Sequence, residues 1–177
     1  MNVSKSLLFL ALASASGAVI AANADKSAPA PAAFVKKAAQ DGMMEVEAGK
    51  AALSKSSDES VRSFAQRMVD DHGKANEELS SIAKAKGIDV PKELDAEHQQ
   101  MVDALSAKSG NEFDREYSKH MNMDHTKAIA LFEAASKSSD ADLAGFAKKT
   151  LPTLKQHKQM AEKLPGKSMG AAPAAGA

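Results

Sequence analysis

Two stretches, "LSKSSDESVRSFAQR" at 53–67 and "ASKSSDADLAGFAKK" at 135–149, match at an offset of 82 residues. Each closes one apolar-striped segment, turns through Ser-Lys-Ser-Ser-Asp and opens the next segment with a Phe-Ala pair. A chain that writes the same turn twice between helical stripes is building two similar helical hairpins. The segment between them, residues 88–108, is long enough to run the length of a bundle. Two hairpins joined by a long crossover define the ferritin-like version of an all-α four-helix bundle. That is the fold this sequence predicts.

The stripes support it. The first helix is predicted over about 33–56, with Val35, Ala39, Gly42, Val46, Gly49 and Leu53 at alternating spacings of four and three. Gly42 and Gly49 cost about 1 kcal/mol each in helix propensity. On a buried stripe they let a neighbouring helix come close. The second helix, about 58–86, carries Val61, Ala65, Met68, His72, Ala75, Leu79 and Ile82, with Ser57 as N-cap and Gly87 as stop. The crossover holds a short helix opened by Pro91, with Leu94, His98, Met101 and Leu105 on one face. The third, capped by Asn111 and reaching about Lys137, presents Tyr117, Met121, His125, Ala128, Phe132 and Ala135. The fourth, about 140–164, presents Leu143, Ala147, Leu154, His157 and Ala161, and Pro152 is expected to interrupt and kink it.

The ends set the compartment. Lys5 precedes an apolar run from Leu7 to Ile20, then Ala22-Asn23-Ala24, the pattern of a secretory signal peptide over residues 1–24. At 14 residues the run is short for a membrane span, so the mature chain is expected to carry none. Residues 25–32 read as a Pro/Ala linker, 33–164 as one helical domain and 165–177 as a disordered tail. Loss of Lys5 with the leader leaves 22 basic side chains against 23 acidic, which argues against nucleic acid as a partner. With no cysteine, disulfides, thiolate metal sites and cysteine catalysis are excluded. Monomer and homodimer both fit the stripes.

The runs "FVKKAAQDGMMEVEAGKAAL", "VRSFAQRMVDDHGKANEEL", "FDREYSKHMNMDHTKAIALFE" and "FAKKTLPTLKQHKQMAEKL" occur in order across residues 33–164. In this the chain resembles an exported bacterial ferritin-like family of unknown function, DUF4142, whose members are often labelled outer membrane proteins. The resemblance implies a periplasmic helical bundle, associated with the outer membrane if the label holds. It brings no activity. Nothing here alternates as barrel strands do.

A second repeat marks a candidate site. "MVDDHGKA" at 68–75 returns as "MNMDHTKA" at 121–128. It is not inherited with the hairpins, because the offset of 82 pairs His125 with Met43 and His72 with Leu154. His72, His125 and His157 fall on the inner stripes, each with a methionine at helical spacing: Met68, Met121 and Met160. Counted from the repeated turns, taken to lie at one end of the bundle, His72 and His125 sit at about 21 Å, with Glu45 within about 3 Å of that level. His157 is expected about 6 Å away. A metal site of His72, His125 and Glu45, joined by Met68, Met121 and His157, is therefore a candidate, with Asp71 and Asp124 orienting histidines of neighbouring helices. Imidazole with thioether suits copper, and imidazole with carboxylate suits zinc. The competing reading makes the histidines a buried polar network and the methionines core filler, in a structural or stress-related envelope module without metal. Di-iron oxidases of this fold use Glu-x-x-His, which occurs nowhere here, and no catalytic triad or phosphate loop appears.

Overall fold

A computed structural model describes residues 28–165. The expected signal peptide, residues 25–27 of the linker and residues 166–177 of the tail lie outside the described residues. Five helices follow in order: α1 (Pro31–Lys55), α2 (Glu59–Ala85), α3 (Ala96–Ser106), α4 (Gly110–Ala135) and α5 (Ala141–Ala161). Among the described residues there is no strand, and no helix is long and apolar enough to cross a membrane.

The repeated turn is built the same way twice. Ser56 Oγ accepts from Asp58 N, and Ser138 Oγ accepts from Asp140 N, both at 3.1 Å. Asp58 Oδ1 then accepts from the amides of Ser60 and Val61, and Asp140 Oδ1 from those of Asp142 and Leu143. Each aspartate satisfies amides that the first turn of a helix leaves without partners. The N-cap of α2 is thus Asp58 and not Ser57, because the carboxylate reaches two amides at once.

Other boundaries also differ from the sequence expectation. α1 starts at Pro31, inside the segment read as linker, since proline suits a first-turn position. Pro91 opens no helix. α3 begins at Ala96, where Asp95 caps the amide of His98. The N-cap of α4 is Ser109, and Asn111 lies within the helix, because Gly110 turns the chain with φ +54°. α5 runs through Pro152 without interruption.

α1 packs on α2 and α4 on α5, with α1 against α4 and α2 against α5 closing the bundle. The two hairpin turns lie at opposite ends. Ala52 and Val61, flanking the α1–α2 turn, share an apolar cluster with Phe113 and Tyr117 from the start of α4 and Ala161 from the end of α5. Ala135 and Leu143, flanking the α4–α5 turn, share the other cluster with Phe34 and Ala83. The crossover therefore spans the bundle. Gln40 fastens it to α1 by donating to Glu93 O at 2.9 Å and accepting from Asp95 N at 3.0 Å.

Between the two clusters each long helix changes from one to the other, and each places a polar side chain at the change. These are Glu45 on α1, His72 on α2, His125 on α4 and His157 on α5, all buried. A polar layer crosses the core at mid-height.

Candidate metal centre

The three imidazoles form a nearly equilateral triangle. Ring centroids are 5.5 Å apart for His72–His125, 5.3 Å for His72–His157 and 5.4 Å for His125–His157. One nitrogen from each ring lies within 4.8 Å of the others.

Each ring is oriented by one of its nitrogens. His72 Nδ1 donates to Glu45 Oε2 at 2.9 Å. His125 Nδ1 donates to the Met121 carbonyl, one turn back on α4, at 2.8 Å, and lies 3.5 Å from Glu45 Oε1. His157 Nε2 donates to Asp71 Oδ2 at 2.9 Å. The opposite nitrogens, His72 Nε2, His125 Nε2 and His157 Nδ1, are buried with no hydrogen-bond partner, as is Glu45 Oε1. Buried polar atoms are normally paired, so such a group of orphans requires a reason.

His157 stands at one corner of the triangle with the other two rings, against the expectation that it lies about 6 Å off the level. That count took both turns at one end and measured along the backbone. Side chains on a helix lean toward its N-terminus. His157 leans back toward the α4–α5 turn and His125 leans away from it, so the two rings converge. His72, His125 and Glu45 meet although the turns are at opposite ends, because each stands near the middle of a helix of about 40 Å and is level from either end.

Asp71 orients a histidine of a neighbouring helix. Asp124 orients none: its Oδ1 faces Lys127 Nζ at 3.6 Å and its Oδ2 is buried without a partner. Met68 and Met121 are fully buried in the cluster at the α1–α2 turn end of the bundle, and Met160 packs against that cluster. His98 lies outside the layer, its ring between Asp95 and Asp41 at 2.7 and 3.0 Å.

Charge is set by burial and by Glu45. Burial resists ionisation of the Glu45 carboxyl, but His72 and His125 beside it hold its pKa at about 2. Burial opposes protonation of His72, yet Glu45 raises its pKa above the ordinary value. His125 is lowered by burial, and His157 falls to about 4 through burial and the neighbouring His72. At neutral pH the layer holds an ionised Glu45 and two neutral imidazoles. Those are two ready ligands, and His72 is the ring that holds its proton most strongly.

Sequence spacing did not point to Asp41 or Asn76. Both border a small cavity beside Glu45 and His72. The signal that was there is their register, Asp41 one turn before Glu45 and Asn76 one turn after His72.

Fold and site define the class: a ferritin-like four-helix bundle with a buried three-histidine layer. The chain belongs to the family described as a domain of unknown function, DUF4142, whose model matches residues 16–164. In structure it is similar to a DUF305 fragment from Deinococcus radiodurans, with a TM-score of 0.66 at 17% identity, covering 78% of this chain and 95% of that one. That likeness concerns the fold alone. No curated protein matches the chain in sequence.

Proposed function

We propose that this chain is an exported, periplasmic metal-binding bundle that holds one transition-metal ion on His72, His125 and His157. The observation that carries the reading is the split in each ring: one nitrogen engaged by an orienting acceptor, the other buried and unpartnered. Ligating histidines commonly use their second nitrogen in this way, which fixes tautomer and ring orientation. Tetrahedral ligands at about 2.0 Å from an ion stand about 3.3 Å apart, so the rings close in slightly on binding. Glu45 stands behind the rings, on the Nδ1 side of His72 and His125, so the three histidines leave a fourth position for water or another small donor. A set of three imidazoles takes copper or zinc, and copper binds such a site more tightly. The role that fits is storage, buffering or stress protection in the envelope. The reading is non-catalytic, since the Glu-x-x-His of di-iron oxidases occurs nowhere in the sequence.

Titration of the metal-free full chain with copper and with zinc tests it. The expected result is one equivalent bound, lost in the H72A/H125A double variant and in H157A. Unchanged binding in those variants removes the site, and a folded wild-type chain that binds neither ion returns the layer to a structural polar network.

A further inference from the structure

The layer is enclosed, so an ion needs a way in. Along the α1–α2 seam, two spaces lie back to back. Outside is a groove of about 430 Å³ between that seam and the crossover, with Met43, Gly73, Lys92 and Gln99 in its walls. Inside is a cavity of about 20 Å³ bordered by Asp41, Glu45 and His72. It has room for a single water and none for a hydrated ion. Asn76 borders both spaces.

Asn76 can stand between them because of what faces it. Its amide fills the position that a Cβ on Gly42 would take, and a Cβ there would collide with Asn76 Oδ1. The side chain is half-buried and makes no hydrogen bond among the described residues. Asn76 thus stands between the groove and the cavity that His72 borders, and His72 Nε2 is buried without a partner.

We propose that Asn76, seated over Gly42, is the gate by which an ion passes from the groove to the histidine layer. This rests on the metal reading above. A gate changes the barrier and leaves the end states alone, so opening it raises both rates and keeps their ratio.

The test uses full-length N76A and G42A with zinc as the probe. In N76A the association and dissociation rates both rise roughly tenfold or more, while Kd stays within about twofold, as a lowered barrier between unchanged end states requires. G42A evicts the amide but leaves a methyl in its seat, so its rise is smaller. In the metal-free chains, hydrogen–deuterium exchange at the ring carbon-bound proton of His72, read by mass spectrometry, accelerates in the same order. Unchanged exchange and unchanged rates in variants of wild-type helicity overturn the gate. Absence of zinc binding by the wild type overturns the metal reading instead, so the two failures are told apart.

Discussion

His72 is the residue on which the layer's protonation turns. Its Nδ1 is held by Glu45 and its pKa is raised, so an ion on Nε2 competes with a proton that this ring holds more strongly than a free imidazole does. Metal affinity is therefore expected to strengthen as pH rises through that pKa, with proton release visible by calorimetry in buffers of different ionisation enthalpy. Affinity that does not change between mildly acidic and mildly basic pH would exclude His72 as a ligand. His157 acts in the other direction on the metal-free protein. Its pKa falls from 6.5 to about 4 on folding, so the unfolded chain binds more protons between those values. Its contribution to stability is complete above that window and is lost as pH falls through it, with a slope approaching about 1 kcal/mol per pH unit. Urea denaturation at the two ends of the window measures this slope, and H157Q flattens it. Asp71→Asn and Glu45→Gln keep the fold but loosen ring orientation, and are expected to weaken metal binding about 10- to 100-fold. The sequence made the histidines visible through the repeated octapeptide and their core register. It did not show that Asp71 reaches His157, since that contact joins residues 86 apart on different helices.

At the scale of elements, the hairpins were the most legible part. A repeated turn, two Phe-Ala openings and four apolar stripes specify local structure and inner face, which depend on spacing alone. Boundaries were less legible where two capping side chains compete. Asp58 outcompetes Ser57 by accepting from two amides, and Gly110 moves the start of α4 ahead of Asn111. The crossover was the least legible, because its docking is tertiary: Gln40 on α1 fixes the chain at Glu93 and Asp95. The seam glycines differ in what they face. A Cβ on Gly49 would press on Val69 Cγ2 and the Ala65 carbonyl at 3.0 and 3.1 Å, so backbone would have to move. Gly49→Ala is expected to destabilise by about 1–3 kcal/mol in chemical denaturation. Gly42→Ala displaces only a side chain and is expected to cost less.

At the scale of the molecule, a polar layer between two apolar clusters is the feature that distinguishes this bundle. The clusters are mostly apolar, whereas the layer gathers three imidazole nitrogens and a carboxylate oxygen that have no hydrogen-bond partner. An ion that binds only the folded chain stabilises it by mass action, about 4 kcal/mol at a free concentration of 1,000 Kd. Thermal unfolding should therefore shift upward with metal concentration in the wild type and not in H72A/H125A. The two-hairpin topology gave the bundle away in the sequence, but the triangle did not emerge until side-chain lean was added to backbone height. The central claim is that the three rings converge on one ion. X-ray absorption at the metal edge of the loaded full-length protein tests it most directly. The account predicts a nearest shell at about 2.0 Å with outer scattering from three imidazoles. A shell with one imidazole or none would contradict it.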